Sequence, residues 1–295
     1  MGKDLFQEYD FVREIFEAAD DIAGAYISRY CFDGPMETLT ETVHLQPAVT
    51  AVNLACLAAV QKAGVACGYS AGHSLGEYSA LHSADVVSMA DALRLVFKRG
   101  ELMHQESLRY KGAMSAVVGL DIEAVDKLVN AGRDSGTVSV ANHNSAEQIV
   151  ITGAPEAVAS VSEAATSRGA RAIPLKVSGA WHSDLIKGAE APFIAFLESF
   201  DFKSPTNMVI HNVTADRCAD GEAIRQLMAR QLCSPVKWFD TIRRLMAEKV
   251  EVFVEVGPGR VLTGLLKKIV PPEYPHSVFA VSNLKTLESL ISGIS

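Results

Sequence analysis

The sequence predicts an α/β fold: a hydrolase-like large domain with a mostly parallel sheet (residues 1–110 and 179–295), interrupted by a ferredoxin-like small subdomain (residues 111–178). Two patterns carry this expectation. Gly72-His73-Ser74-Leu75-Gly76 fits G-x-S-x-G, the sharp strand-to-helix turn that leaves a serine hydroxyl exposed at the end of a sheet strand. Residues 113–177 read as β-α-β-β-α-β, the ferredoxin-like succession. Size agrees with both. A chain of 295 residues, 48% hydrophobic and 21% charged, is one large domain or a domain with a smaller insert, and it can bury a sizeable core.

Taken in order, residues 10–23 place Phe11, Ile15, Phe16, Ala19 and Ile22 on one helical stripe. Residues 46–63 form a second helical pattern, almost without charge, expected to be buried on most sides. Residues 63–69 read as a short buried strand that feeds the elbow, and Leu75 onward reads as a helix. Ser88-Met89-Ala90-Asp91 is a capping box that opens a helix to about residue 107, with Leu93, Val96, Phe97, Gly100 and Met103 on its buried side. Arg99 falls at the edge of that stripe. In the insert, 114–118, 137–141, 148–152 and 171–177 read as strands, 122–131 and 155–168 as helices, and Asn142-His143-Asn144-Ser145 as a turn. Later, residues 211–215 end a strand and 252–256 read as a buried strand. Gly257-Pro258-Gly259 lacks the G-K-[ST] ending of a phosphate loop and reads as a structural turn.

Composition excludes several classes. A net charge of −8 argues against nucleic-acid binding, and any acidic partner would need a local basic patch. Arg168, Arg171, Lys176 and Lys187, around the junction of the two domains, could form one. Five cysteines without C-x-x-C spacing read as free thiols in a reducing cytoplasm, not as a metal site. No segment reads as a membrane span, and the first residues do not resemble a signal peptide.

The chemistry converges on Ser74. In an elbow the flanking glycines permit the turn, and the next amide, that of Leu75, starts a helix where it can donate to an oxyanion. The longer segment Gly72-His73-Ser74-Leu75-Gly76-Glu77-Tyr78-Ser79-Ala80-Leu81 resembles the active-site segment of malonyl-CoA:acyl carrier protein transacylases, a family that includes the acyltransferase domains of fatty-acid and polyketide synthases. Lys98-Arg99-Gly100-Glu101-Leu102-Met103, Ser178-Gly179-Ala180-Trp181-His182-Ser183 and Gln231-Leu232-Cys233-Ser234-Pro235-Val236-Lys237-Trp238 extend the resemblance.

The resemblance implies malonyl transfer from a coenzyme A thioester to the phosphopantetheine thiol of acyl carrier protein, with no metal or other cofactor. It makes Ser74 the nucleophile and His182 the base, with the main-chain carbonyl of Gln231 orienting the imidazole. Arg99 would hold the free carboxylate of malonate; on the residues alone, a lone arginine on a helix is a surface group. Gln46, Asn142 and Asn144 resemble residues near the acyl group and pantetheine arm, although helix-start and turn chemistry account for them equally. Trp181 stands where relatives commonly carry phenylalanine, a change that could narrow the acyl pocket. Two alternatives stay open: a serine hydrolase or thioesterase, and an inactive acyl-binding paralogue. The second arises because relatives open with a strand ending in Gly-Gln-Gly-Ser-Gln, whose glutamine serves the oxyanion hole. Met1-Gly2-Lys3-Asp4-Leu5 matches the residues just beyond that strand. The resemblance therefore implies an apolar slot in the sheet beside Ser74.

Overall fold

The computed structural model describes residues 1–294. Four helices, α1 (Lys3–Glu8), α2 (Asp10–Ala23), α3 (Ile27–Asp33) and α4 (Met36–Thr40), lead to the long α5 (Thr42–Lys62). The elbow comes next, between β1 (Tyr69–Ala71) and α6 (Gly76–Ser83), and α7 (Met89–Arg109) completes the first part. The insert comprises β2 (Ala113–Val118), α8 (Ile122–Gly132), β3 (Val138–Ser145), β4 (Gln148–Gly153), α9 (Pro155–Thr166) and β5 (Arg171–Pro174). The chain returns through α10 (Glu190–Leu197), β6 (Met208–Ile210), α11 (Gly221–Gln231), α12 (Trp238–Ala247), β7 (Val252–Val256), α13 (Val261–Ile269), β8 (Ser277–Val281) and α14 (Leu284–Ile294).

The helices nearest the elbow are set by apolar stripes and one glycine. Val12, Ile15, Phe16 and Ala19 of α2 are buried in the same core as Ala48, Val52, Ala55 and Cys56 of α5. Helix α5 opens at Thr42, four residues before its apolar pattern, and so contains Pro47 instead of starting beside it. It lies against α7 at Gly100, where a Cβ would meet the Thr42 carbonyl at 3.0 Å. That close approach brings Gln46 of α5 over Arg99 of α7. Ser88 caps α7 by accepting from the Asp91 amide at 3.0 Å. Contrary to expectation, α5 is long and apolar enough to cross a bilayer, alone in this among the described residues; 72% of its apolar window is buried inside the protein.

The insert is a four-stranded antiparallel sheet in the order β3-β4-β2-β5, with Val117, Val125, Leu128, Ile149, Ile151 and Val161 in its core. Asn142 to Ser145 does not form the expected turn. Instead β3 runs on to Ser145 through two bulges, and the chain reverses at Ala146 and Glu147. Polar residues are tolerated there because the bulged backbone finds a partner outside the hairpin. His143 N donates to Val236 O and Val236 N to Ala141 O, each at 2.9 Å.

The parallel strands do not form one sheet. They form two pairs, β1–β6 and β7–β8. A cavity of about 980 Å³ is bordered by β1, β7, α5 and α13, and the elbow residues Gly72, His73, Leu75 and Gly76 line it as well. This separation overturns two sequence-based expectations. Residues 63–68 are not a buried strand; Gly64, Ala66, Cys67 and Gly68 are exposed, and only Tyr69–Ala71 is paired. Val252–Val256 is a strand, but a half-exposed one, because the side of β7 away from β8 faces the cavity.

The cavity has the makings of a strand site: apolar walls and, on β1 and β7, an unpaired edge each. Gly2 lies against Val52 of α5, the helix whose Val49, Asn53 and Leu57 line the cavity, so a segment joined ahead of Met1 could reach it. Fusing an apolar β-branched run that ends in Gly-Gln-Gly-Ser-Gln there should raise Tm by about 5 °C or more, through the apolar area it buries. An unchanged Tm by calorimetry would show that the cavity does not take a strand.

Candidate active site

The elbow is a strained turn with a steric reason for one of its glycines. Ser74 has φ of 51°, a left-handed conformation that a serine adopts at a cost of about 1–3 kcal/mol. A Cβ on Gly72 would lie 2.0 Å from the Gly76 carbonyl carbon, so only glycine fits at 72; Gly76 itself faces open space and is not required by contact. Asn212, just past β6, ties the turn together. Its Oδ1 accepts from Ser74 N at 2.7 Å and its Nδ2 donates to Gly72 O at 2.6 Å. Leu75 begins the helical turn of α6 (φ −54°, ψ −37°), and its amide has no hydrogen-bond partner among the described residues. An unpaired amide at that point can donate to an oxyanion formed on a group attached to Ser74.

The serine hydroxyl meets two side chains. His182 Nε2 lies 2.8 Å from Ser74 Oγ, and Arg99 Nη2 donates to the same oxygen at 3.1 Å. His182 Nδ1 lies 3.0 Å from the Gln231 carbonyl, an acceptor, so the proton of a neutral ring sits on Nδ1 and the bare Nε2 faces the hydroxyl. Burial, and secondly the Arg99 cation, lower the His182 pKa from 6.5 to about 3. At neutral pH the imidazole is therefore free to accept a proton. His182 shares the strain of its partner, with φ of 60°.

Arg99 is only 2% exposed, not at the edge of the buried stripe as its sequence position suggests. Its Nη1 donates to Gln46 Oε1 at 2.8 Å and its Nε has no partner. No carboxylate pairs with it among the described residues. Burial pulls its pKa down, and the neighbouring Tyr78 and Glu77 side chains oppose that. A guanidinium left in this state has a planar, bidentate face for an incoming carboxylate.

The other residues singled out in the sequence surround this centre at different depths. Gln46 is buried, and its Nε2 donates to Met103 Sδ at 3.3 Å, which aims its oxygen at Arg99. Asn144 Oδ1 lies 2.8 Å from His73 Nε2, linking the insert to the elbow without touching Ser74. Asn142 is buried, with its backbone bridged to Val236. Trp181 packs between the insert's Met114, Ala116, Ala141 and Val150 and the helical core, and a Cβ on Gly179 would strike its ring at 2.5 Å. Sequence reasoning missed Asn212, Glu77 and His211. The buried trio is joined by Glu77 Oε1 accepting from His211 Nδ1 at 2.9 Å and from Asn212 N at 3.2 Å. Glu77 carried a signal, since a carboxylate in the first turn beyond an elbow serine is an unusual group to bury. Among the described residues no cluster of three or more metal-ligating side chains occurs.

The chain resembles known proteins across nearly its whole length. The family model described as acyl transferase domain matches residues 1–282. The chain is 39% identical over 293 residues to the malonyl CoA-acyl carrier protein transacylase of Bacillus subtilis, a match spanning 99% of this chain and 92% of that protein. It is 40% identical over 272 residues to the protein of the same name from Escherichia coli K12, spanning 92% of this chain and 88% of that one. Among solved structures, a malonyl-transacylase in complex with a type II PKS acyl-carrier protein superposes with a TM-score of 0.94 at 38% identity, covering 99% of this chain and 94% of that one. An acyl carrier protein S-malonyltransferase from Vibrio cholerae gives 0.92 at 37% identity, covering 98% and 94%. The family model and relatives at 39% and 40% identity, matched across nearly the whole length, place the chain in the acyl transferase domain family.

Proposed function

We propose that this enzyme transfers a malonyl group from malonyl-CoA to the phosphopantetheine thiol of acyl carrier protein through an acyl-Ser74 intermediate. The observation that carries the substrate choice is Arg99, a buried cation with no carboxylate partner, bonded to the nucleophilic oxygen itself. Malonate attached to Ser74 would bring its free carboxylate into reach of that guanidinium, and a neutral acyl group would not. A hydrolase of neutral esters has no use for it. The named relatives, and the transacylase solved with an acyl-carrier protein, support the same donor and acceptor.

The steps need only groups in the site. His182 Nε2 takes the Ser74 proton as Oγ attacks the thioester carbonyl, and the Leu75 amide donates to the oxyanion. Collapse expels the coenzyme A thiolate, which takes the proton from His182. The carrier thiol then gives its proton to His182, attacks the Ser74 ester and releases the serine, which recovers the proton. The Gln231 carbonyl holds the imidazole in the required tautomer, the geometric task of a triad aspartate. Phosphopantetheine arrives as part of the carrier, so no other cofactor enters the scheme.

The finer architecture belongs to the same proposal. We read residues 111–178 as a ferredoxin-like subdomain, on its β-α-β-β-α-β order and β3-β4-β2-β5 sheet, and residues 1–110 and 179–295 as a hydrolase-like catalytic domain. Arg168, Arg171, Lys176 and Lys187 are all exposed, as a docking patch for an acidic carrier requires. Five free cysteines fit a cytoplasmic location.

Two experiments test the reaction. Incubation with malonyl-CoA should leave a malonyl adduct on the Ser74 peptide by mass spectrometry, absent in Ser74→Ala and discharged rapidly only when holo carrier protein is added. Discharge at one rate with or without carrier would identify a hydrolase, and no adduct at all would sink the proposal. Arg99→Ala should weaken malonyl loading by about 2–4 kcal/mol, the worth of a charge-assisted pair in a closed site, with acetyl loading equal or improved. Equal losses for both acyl groups would make Arg99 merely structural.

A further inference from the structure

We propose that Glu77 is a positioning residue for this transfer, acting through Gln231 and Asn212 on both the nucleophile and the base. The carboxylate is 1% exposed and touches no reacting atom. Three donors converge on it from segments far apart in sequence: His211 Nδ1 at 2.9 Å and Asn212 N at 3.2 Å on Oε1, and Gln231 Nε2 at 2.7 Å on Oε2. Each of its two oxygens thus holds a residue that in turn holds the site.

The Gln231 side chain shows what the charge does. Its Nε2 also donates to Ser74 O at 2.9 Å, so both amide hydrogens are used, while Oε1 is buried without a partner. In the flipped orientation Oε1 would face two acceptors, the Glu77 carboxylate and the Ser74 carbonyl, and that contact is repulsive. Glu77 therefore fixes which way the amide points. The main-chain carbonyl of the same residue receives His182 Nδ1 at 3.0 Å. On the other side, Asn212, pinned by its amide to Glu77, grips Ser74 N and Gly72 O. Freeing the carboxylate would loosen the elbow and the imidazole together, at the oxygen–nitrogen contact where the proton moves. A buried charge with this many partners is well satisfied, and its negative sign also favours the protonated form of Arg99.

The inference rests on the malonyl-transfer reading, and the two can fail separately. If wild-type protein never takes malonyl on Ser74, the reading fails; the effects of Glu77 variants concern only protein that does. Glu77→Gln keeps the shape, removes the charge and lets the pair of amides flip. It should lower kcat for transfer about 10- to 100-fold, the range for a misplaced proton-transfer group, with KM for malonyl-CoA within about threefold. Gln231→Met keeps the main-chain carbonyl and removes the amide, and should cause a loss of similar size. Because the two act in one chain of contacts, the double variant should be about as slow as the slower single one. A Glu77→Gln enzyme with a lower Tm but wild-type kcat would overturn the proposal, as would losses that multiply in the double variant. Should Glu77→Gln not fold, wild-type kcat in Gln231→Met would overturn it alone.

Discussion

The hydroxyl of Ser74 lies between a neutral imidazole and a buried cation, and the surrounding structure serves to keep both there. Arg99 has lost its water and found Gln46 but no carboxylate, an arrangement whose desolvation is not repaid until an anion arrives. Its charge, after burial itself, is what depresses His182. Binding a malonyl carboxylate would neutralise that charge, so the repulsion on His182 falls when the substrate is in place. On the proposed reading the base would be stronger in the loaded site than in the empty one, which would tie proton transfer to the presence of the right acyl group.

Keeping two side chains at one oxygen requires elements from the whole chain. Helices α5 and α7 supply Gln46 and Arg99, and their spacing depends on the missing side chain of Gly100. The elbow supplies Ser74 in a conformation that Gly72 alone permits, and the junction after the insert supplies His182, likewise at positive φ. Strain at Ser74 and His182 persists because buried hydrogen bonds over-determine it, through Asn212 to the serine and through Gln231 to the histidine. The insert is tied to the same frame by the Asn144–His73 contact and the bridge from Asn142 to Val236.

Much of this was legible in the sequence because it is local. The elbow, the capping box at Ser88, and the strand and helix order of the insert depend on residues within a few positions of one another, and the motif at Ser74 carried the family with it. What escaped is non-local. Asn142 to Ser145 has turn-forming composition, and pairing with β4, together with a bridge to Val236 far along the chain, makes it a bulged strand. Arg99 sits at the margin of a helical stripe in one dimension, yet it is buried, with Gln46 of α5 on one side and Ser74 and Tyr78 on the other. Residues 63–68 look like a strand because they are apolar, but a strand exists only where a partner pairs, and β1 has β6 on one side and the cavity on the other. Glu77, His211 and Asn212 share no sequence pattern; their connection exists only through the fold.

The central claim is that burial and the unpaired Arg99 charge hold His182 neutral, and that the pull from Arg99 weakens once a carboxylate pairs with it. A ¹⁵N NMR titration of the His182 ring measures this directly, in the free enzyme and in the malonyl-enzyme. The free enzyme should show the Nδ1–H tautomer with a pKa far below 6.5, near 3, and the value should rise once malonate occupies the site. A free-enzyme pKa at or above 6.5, or one that malonylation leaves where it was, would contradict the account.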